Sequence, residues 1–555
     1  MKKLLALILA LVMCFSLVAC GGGQGSKPSE PSDPGSNEPT TPGFTEPDKT
    51  VKYKDTVKIS IAGERQVTGY YGSTNTQAAY FGRMTMEPLF RYNFETNAVE
   101  PVIAKEAIDV NGDGKTWKVT IRDDVVFHNQ GEYYADLKAS DVKFTYDFIK
   151  TDGAGRVAGA VTRTSDITNY VESIDVNGDY ELTFHLTSAI FDFPAWNHGL
   201  FILSEKAIEE FGPADGQDVF TGPYWINKAE STLGQQWTMT RYDDYYGGID
   251  NYPTKNIVFV IHTDANTGAA ALQAGEVDAL VCATPTIAIQ FKNNPDFTVH
   301  DNAGLTTWFV GFNSYDGTGF FDGEDTEEQI KIRQAINYAL DRDKIVSVMF
   351  AVDPEAGVRV DSVFGESNPG YVDAGKWEFS VEKGRALMNE LGYNENNRLA
   401  LVLAHIPRYT TYAQVIQDLL KEIYIDCELK NIEGTQYGSF LRTGKDWDLF
   451  CNYYATSTTM MGTVTTHMQS AGGGSRTQGW NSAETDKRID NIMAQPTKEA
   501  QEEAFAEFQK WVHDYHPRIP THADKNMIEA IAELEGISVC PDVNHQDFAT
   551  FRIPE

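Results

Sequence analysis

The sequence has few cysteines, fewer basic than acidic residues, and almost no long apolar run. Six cysteines in 555 residues are too few for a disulfide-stabilised scaffold. The 46 Lys and Arg residues against 79 Asp and Glu residues give a net charge of -33, which repels nucleic acid phosphates and anionic lipid headgroups. A nucleic acid partner is therefore not expected. The motifs HExxH and GxSxG, typical of zinc peptidases and serine hydrolases, do not occur in the chain.

Length and apolar content indicate a large folded body. A chain of 555 residues exceeds what one hydrophobic core usually holds, so two or three domains are expected. A hydrophobic share of 41% with 12% aromatic residues excludes wholesale disorder, which needs few apolar residues and high charge.

The first 20 residues carry an export pattern. Lys2 and Lys3 precede an apolar run over residues 4–19, which is too short to span a membrane and fits a secretory signal peptide. The run ends in LVAC at 17–20, followed by three glycines. This ending resembles the lipobox of a bacterial lipoprotein, which implies cleavage before Cys20, diacylation of its thiol and attachment to the outer face of the cell membrane. An ordinary signal peptide with an incidental cysteine is the alternative.

Residues 21–50 predict a flexible linker rather than a folded segment. Proline, glycine, serine and glutamate dominate this stretch, and Phe44 is its only large apolar side chain. Such a composition offers no hydrophobic face to offset the loss of chain entropy on folding.

From Val51 onward, strand and helix patterns alternate along the chain. Alternating or β-rich runs predict strands at 57–63, 115–122, 180–186 and 255–261. Helical periodicity occurs at 269–280, 327–350, 412–423 and 497–515. This interleaving predicts an α/β architecture.

Several patterns resemble metal sites, but the residues favour structural roles. Residues 109–116 begin like a calcium loop, yet Thr120 stands where the bidentate carboxylate belongs, and Asn-Gly and Asp-Gly favour a hairpin turn. Pro517 and Pro520 separate His522 from His513 and His516, so a shared face of the three histidines is not assured. We expect no metal and no cofactor. The sequence leaves open whether any of four further cysteines pair, namely Cys282, Cys427, Cys451 and Cys540.

A family resemblance covers nearly the whole folded part of the chain. Residues 86–149 closely resemble the signature of the extracellular solute-binding proteins of family 5, the oligopeptide-, dipeptide- and nickel-binding receptors of ABC importers. Further blocks follow in the order of that family, at 221–226, 333–346, 417–429, 446–450 and 509–520.

The resemblance implies an α/β fold of two lobes joined by hinge strands, that is, the type II, cluster C periplasmic-binding-protein-like fold with an extra subdomain inserted in lobe I. A ligand between the lobes would shift an open–closed equilibrium toward the closed state. The implied boundaries place lobe I at 51–85, 217–310 and 521–555, the inserted subdomain at 86–216, and lobe II at 311–520.

The resemblance also implies three ligand-contacting segments: the loop after the first strand, the approach to the hinge, and the segment after DWDLF at 446–450. Aromatic side chains there offer flat apolar walls, and hydroxyls and amides orient a polar ligand. The expected ligand-binding residues are Tyr70, Tyr71, Trp308, Phe312, Asn313, Tyr453, Tyr454 and Thr456.

The third segment departs from the peptide-binding relatives. Those proteins carry a tryptophan and then an aspartate-proline pair, and the aspartate pairs with the peptide's α-amino group. Here Tyr454 stands at the tryptophan position, and residues 456–460 hold no carboxylate. A buried ammonium without a counter-charge is costly. Either another acid, such as Glu64 or Asp361, supplies the charge, or the ligand has no free amine.

The resemblance implies a non-catalytic, surface-anchored and monomeric receptor that captures oligopeptides for the permease and ATPase subunits of an ABC importer. Oligosaccharides or a metal chelate are the alternative ligands. A receptor for peptide signals would share the same binding chemistry. A surface-anchored hydrolase is the reading least favoured, because no spacing marks a catalytic pair of side chains. The sequence leaves the ligand class, the partner permease and the exact pocket residues open.

Overall fold

The computed structural model describes most of the chain after the predicted linker. The predicted signal peptide and Cys20 lie outside the described residues, as do Cys282 and Thr456. The described ranges are 47–65, 69–71, 76–93, 96, 98–151, 164–281, 284–315, 319–323, 325–365, 370–433, 436–455, 459–470, 482–542 and 546–555.

The strands of the described residues are β1 (Thr56–Ile61), β2 (Phe90–Asn93), β3 (Ala98–Pro101), β4 (Ala104–Asp109), β5 (Thr116–Ile121), β6 (Val126–Asn129), β7 (Glu132–Asp136), β8 (Val171–Gly178), β9 (Glu181–Leu186), β10 (Tyr224–Ile226), β11 (Gln236–Arg241), β12 (Asn256–Ile261), β13 (Ala279–Val281), β14 (Phe297–Phe312), β15 (Gly357–Arg359), β16 (Leu399–His405), β17 (Ile425–Asn431), β18 (Leu449–Ala455) and β19 (Ile519–Ile531).

The α-helices of the described residues are α1 (Thr76–Thr85), α2 (Ala139–Lys150), α3 (Thr164–Tyr170), α4 (Phe193–Trp196), α5 (Glu205–Asp215), α6 (Ala265–Gln273), α7 (Pro285–Ala288), α8 (Glu327–Ala339), α9 (Arg342–Met349), α10 (Val381–Glu390), α11 (Thr410–Lys421), α12 (Tyr437–Arg442), α13 (Gly462–His467), α14 (Ala483–Met493) and α15 (Lys498–Tyr515).

One large mixed sheet runs through both lobes. Its strand order is β10-β11-β12-β1-β13-β19-β14-β18-β16-β17, with β15 paired to β19. Strand β1 is parallel to β12 and β13, and β16 is parallel to β17 and β18. The long strands β14 and β19 are antiparallel neighbours at the centre of the sheet, and they pair along most of their length. They therefore connect the two halves of the sheet directly.

Buried apolar side chains form two large clusters, one on each side of these long strands. The first, the lobe I core, joins β1, β10–β13 and the C-terminal segment with the four-stranded sheet β4-β5-β9-β8. The second, the lobe II core, lies among β16–β18 and the helices from α8 to α15. Because the first core includes residues of the predicted inserted subdomain, packing alone does not delimit that subdomain, and its boundaries stay a prediction.

Most of the secondary structure expected from periodicity is present, with two corrections. The predicted strands form β1, β5, β9 and β12. The prediction of a helix over 269–280 is wrong in its second half. Helix α6 ends at Gln273, Gly275 adopts a φ of 72°, and Ala279–Val281 form β13. The single helix expected over 327–350 is two helices, since Asp341 accepts a hydrogen bond from the Lys344 N–H and starts α9.

The calcium-like segment 109–116 forms the hairpin turn that its residues favour. It joins the antiparallel strands β4 and β5. The Asp109 carboxylate accepts hydrogen bonds from the backbone N–H of Gly112 at 3.0 Å and of Gly114 at 2.6 Å. The carboxylate that opens the apparent calcium loop therefore stabilises the turn itself.

Candidate functional site

The regular pairing of β14 with β19 is interrupted where the strands pass between the lobes. It stops after Ala303 and resumes at Thr307, so residues 304–306 lie opposite Asp524 alone. A Cβ at Gly304 would stand 2.3 Å from the Asp524 carbonyl oxygen, so only glycine fits this close approach. We call this segment the hinge, because it is the irregular part of the two strands that connect the lobes.

A row of rings crosses three strands next to the hinge. His522, Trp308 and Tyr453 are register partners on β19, β14 and β18, so they share one face of the sheet. The Trp308 ring stacks on His522 with a centroid distance of 5.5 Å and an interplanar angle of 8°. The Tyr453 ring lies 5.5 Å from Trp308 on its other side. We call these three residues the aromatic row; Tyr453, which is 40% exposed, is its open end.

Lobe II covers the middle of the aromatic row. Tyr409 and Tyr412, at the beginning of α11, contact the Trp308 ring edge-on at 5.0 Å and 5.7 Å. The Tyr412 hydroxyl lies 2.7 Å from the Thr521 hydroxyl. These contacts hold the indole of Trp308 against the sheet and leave it almost fully buried.

Asp524 lies two residues after His522, on the same face of β19. Its side chain is 39% exposed, and its carboxylate stands 4.0 Å from His522 Nε2. Burial raises the pKa of Asp524, while the Trp308 indole N–H and the charge of Arg408 oppose that rise. Burial also lowers the pKa of His522 to about 3, so this imidazole is neutral at physiological pH. Asp524 is thus a partly exposed carboxylate beside the indole N–H of Trp308 and the imidazole of His522.

Lobe I covers the same face of the sheet on the other side of Asp524. Two residues further along β19, the Asn526 side-chain amide donates hydrogen bonds to the carbonyls of Cys540 at 2.9 Å and of Pro541 at 2.7 Å. These bonds hold the C-terminal segment against the strand. Asp524 therefore lies in the gap between the part of the sheet covered by lobe I and the part covered by lobe II.

The two predicted tyrosines of lobe I differ in their surroundings. The Tyr71 ring is buried, and its hydroxyl donates to the Phe201 carbonyl at 2.7 Å. Tyr70 is only partly buried and contacts the Tyr71 and Phe201 rings edge-on. Burial raises the pKa of Tyr70, against the nearby charge of Arg83, and the charge of Asp542 adds to the rise. Tyr70 is therefore the predicted tyrosine that lies near the C-terminal segment beside the gap.

Three other predicted site residues lie inside lobe II. The Phe312 ring belongs to the lobe II core. The buried Asn313 amide donates to the carbonyls of residues 444 and 447, at 2.8 Å and 2.7 Å. The Tyr454 hydroxyl donates to the Val363 carbonyl at 2.6 Å. These contacts hold lobe II together, and ligand contact by the three residues stays a prediction. Of the predicted residues, the structure brings Trp308 into contact with Tyr453, and Tyr70 into contact with Tyr71.

The two acids expected to receive a ligand amine already have protein partners. Asp361 accepts two hydrogen bonds from the Arg359 guanidinium, at 2.7 Å and 2.9 Å, and the Arg342 Nε lies 3.8 Å away. Glu64 accepts a hydrogen bond from the Gly234 N–H at 2.9 Å. The periodicity of the sequence did not point to Asp524. The strand 519–531 also contains His522, Lys525 and a second acid, Glu529, so its sequence pattern does not single out Asp524.

Metal-ligating side chains do not gather anywhere in the described part of the chain. No group of three His, Cys, Asp or Glu residues there is arranged to hold an ion. His513 and His516 contact the Trp377 ring, whereas His522 stacks on Trp308. Cys427, Cys451 and Cys540 are buried and free.

A separate small cavity of about 20 Å³, room for about one water molecule, lies between the predicted inserted subdomain and lobe II. The subdomain contributes Tyr170, Ile190 and Trp196, and lobe II contributes Met461 and Met493. The two lobes therefore face each other at a second place, away from the aromatic row.

Comparison with known proteins assigns the family. The profile described as "Bacterial extracellular solute-binding proteins, family 5 Middle" matches residues 98–476. The chain is 24% identical over 456 residues to the oligopeptide-binding protein AppA of Bacillus subtilis, which covers 78% of this chain and 76% of that protein.

Two solved structures share the fold. The structure of AppA from Bacillus subtilis in complex with a nonapeptide has a TM-score of 0.70 and 19% identity, and covers 91% of this chain and 100% of that chain. The ABC transporter substrate-binding protein CtaP from Listeria monocytogenes has a TM-score of 0.76 and 18% identity, with the same coverage. The predicted two-lobed α/β fold is confirmed.

The family match spans more than half of the chain. Binding proteins of this family are extracytoplasmic and work with the permease and ATPase subunits of ABC importers. Within the described residues, none of the helices combines the length and apolar character needed to cross a membrane. The chain belongs to the bacterial extracellular solute-binding proteins of family 5, which are transport receptors and not enzymes.

Proposed function

We propose that the protein is a surface-anchored, monomeric receptor that captures oligopeptides between its lobes and delivers them to an ABC permease. The aromatic row carries this proposal, because it ends in an exposed tyrosine beside the hinge between the lobes. Flat aromatic faces at such a boundary suit the varied side chains of peptides. The oligopeptide-binding name of one relative and the nonapeptide in its solved structure support the same ligand class.

The test of the ligand class is mass spectrometry of what the purified protein retains. The protein is exposed to a complex growth extract, washed, and unfolded mildly to release its ligand. Recovered peptides would support the proposal. Recovered glycans, or a metal chelate without peptides, would overturn the peptide assignment and leave the receptor role in place.

Oligosaccharides are the second candidate ligand, favoured by the third segment. Residues 456–460 offer hydroxyls and a thioether but no carboxylate. Aromatic faces and neutral hydrogen bonds suffice to bind a sugar, whereas a peptide's ammonium needs a counter-charge. A metal chelate would have to bring its own ligands, because the described residues hold no metal-binding group of three.

The lipid anchor is tested by replacing the cysteine of the LVAC sequence at 17–20. In a bacterial host that expresses the full chain, we expect the wild-type protein in the membrane fraction and Cys20→Ala released from it. Cys14→Ala is the matched control, because Cys14 lies inside the apolar run, and this variant should stay with the membrane. A Cys20→Ala protein that remains anchored and lipidated would contradict the proposal.

A further inference from the structure

The predicted inserted subdomain and lobe II are not joined by strand pairing in the described part of the chain. The strands of the subdomain form the sheets β4-β5-β9-β8, β2-β3 and β6-β7, which are all separate from the large sheet. Lobe II is joined to lobe I through the large sheet, where β14 and β15 pair with β19. A rotation of lobe II about the hinge can therefore move it away from the subdomain without breaking any strand pairing between the two.

Side chains bring the subdomain and lobe II together around the cavity of about 20 Å³. Ile190 and Trp196 of the subdomain line one side of the cavity, and each is 6% exposed. Met461 and Met493 of lobe II line the other side and are partly buried. We call these four residues the latch. Apolar side chains that leave water together are held by the hydrophobic effect, and flexible thioethers adapt to the surface they meet.

The cavity shows that the latch is packed less closely than a protein core. Protein interiors have few voids as large as a water molecule, and the atoms that line such a void lose part of their dispersion contacts. The lobe I and lobe II cores, by contrast, are large continuous clusters of buried side chains. The latch is therefore a weaker contact than either core, as a contact that must form and break requires.

The lobe II side of the latch continues the third predicted ligand-contacting segment. Strand β18 carries Tyr453, the exposed end of the aromatic row, and ends at Ala455. Thr459 and Met461, a few residues further along the chain, line the cavity. The segment expected to contact ligand and the segment that meets the subdomain are therefore parts of one short stretch of chain.

We propose that the latch closes when lobe II moves toward lobe I and the subdomain, and that the closed latch slows the release of bound ligand. The subdomain is then part of the closing surface, and not only an addition to lobe I. A ligand that contacts the segment after β18 favours the same position of lobe II as the latch does, so each stabilises the other. The effect on release rests on the proposed function, whereas the contact itself does not depend on the ligand class.

The first experiment tests the contact without a ligand. Ile190→Cys and Met461→Cys are combined in the full-length protein, which is treated with a short bis-maleimide cross-linker, digested and analysed by mass spectrometry. The control pair combines Ile190→Cys with Lys383→Cys. Lys383 lies beside His513, at the opposite end of α15 from Gln501, which lines the cavity.

We expect the latch pair to cross-link in at least tenfold higher yield than the control pair. The wild-type protein, treated in the same way, gives the background from its own cysteines. Equal yields for the two pairs would overturn the inference. If Ile190→Cys does not fold, Ala189→Cys replaces it, because Ala189 lines the same cavity and the substitution adds only a thiol.

The order of cross-linking tests whether the latch belongs to the closed state. A pentapeptide library is added to the latch pair either after cross-linking or before it. Protein cross-linked first should capture at least tenfold less peptide than untreated protein, whereas protein cross-linked afterwards should retain its peptide through washing. Unhindered uptake by protein that is already cross-linked would contradict the proposal, since the latch would then be shut while the ligand site is open.

The last experiment measures the release of captured peptide. Peptide retained by the immobilised protein is quantified by mass spectrometry over the time of washing. Met461→Ala should lose peptide at least threefold faster than the wild-type protein, and an unchanged rate would count against the latch. Leu387→Ala is the matched control, because Leu387 is also partly buried against the lobe II core but lies outside the latch, and its release rate should be that of the wild type. If no protein retains any peptide, the peptide function fails, and the cross-linking yield alone decides whether the latch forms.

Discussion

Tyr453 and Tyr454 are adjacent in β18 and lie on opposite faces of the sheet. Tyr453 is 40% exposed and belongs to the aromatic row, whereas Tyr454 is 2% exposed and belongs to the lobe II core. Successive strand residues point to opposite faces, so one step along the chain separates an exposed ring from an internal support. The comparison shows that burial, rather than residue type, distinguishes the candidate binding residue from the structural one.

The buried face carries an unusual charge. The Arg518 guanidinium lies 4.8 Å from the Phe309 ring centroid and 5.2 Å from that of Tyr454, and it donates a hydrogen bond to the His467 carbonyl. Burial lowers the pKa of Arg518 to about 10. In the described residues, no carboxylate forms an ion pair with it, so the two ring faces supply much of its stabilisation. Tyr454 thus supports a buried cation as well as the core.

The largest effect expected from this comparison is on stability. Replacing Tyr454 with Ala removes a buried ring, a hydrogen bond and a cation contact, and should lower the free energy of unfolding by about 3–5 kcal/mol. Tyr453→Ala should lower it by about 1 kcal/mol or less, because that ring is partly exposed. Urea unfolding of the purified variants measures both values. Equal losses would mean that the two faces are not energetically distinct.

The second effect is the pH dependence of stability that arises from His522, the fully buried end of the aromatic row. His522 has a folded-state pKa of about 3, below its ordinary value of 6.5, so the unfolded chain binds more protons between these values. Stability should therefore fall as pH drops through this window. At pH 4.5, protonation of His522 in the unfolded chain lowers the free energy of unfolding by roughly 2–3 kcal/mol.

His522→Gln removes this contribution. The loss of stability between pH 7 and pH 4.5, measured by urea unfolding, should be smaller in the variant by roughly that amount. Other histidines remain in both proteins, so the difference between the two profiles isolates His522. Parallel profiles would show that His522 is not buried in its neutral form.

The smallest expected effect is the difference in stability between removing the Tyr454 hydroxyl and removing the Tyr453 hydroxyl. Tyr454→Phe leaves the Val363 carbonyl without its donor and should cost about 1–2 kcal/mol of unfolding free energy. The Tyr453 hydroxyl has no hydrogen-bond partner among the described residues, so Tyr453→Phe should change stability by about 0.5 kcal/mol or less. A larger loss for Tyr453→Phe would indicate a contact that the structure does not contain.

Local patterns predicted much of the fold. Alternation located β1, β5, β9 and β12, and the blocks resembling family 5 predicted the two-lobed arrangement that the solved structures share. The pattern over 269–280 misled because β13 is a short apolar strand that continues the helical periodicity of α6. Its strand conformation depends on pairing with β1 and β19, which local sequence does not encode.

The candidate site was predictable only in part, for a related reason. Trp308 and Tyr453 were expected from the resemblance to family 5, which implies that their segments contact ligand, and the structure places their rings in contact. Tyr454 was grouped with Tyr453 because they are neighbours in sequence, although a strand places them on opposite faces. Asp524 was not predicted, because its position beside Trp308 depends on the pairing of β19 with β14, a contact between residues far apart in the chain.

Strands β14 and β19 leave and re-enter lobe I as antiparallel neighbours, so all of lobe II is topologically the loop of a single hairpin. In the unfolded chain the ends of that loop are roughly 220 residues apart, and closing so long a loop is entropically unfavourable. A folded lobe II already brings the two strands together at its boundary, where Val310 pairs with Ile519. We therefore expect refolding to follow a fixed order, in which lobe II forms first and the central strand pair of lobe I then closes from the hinge outward.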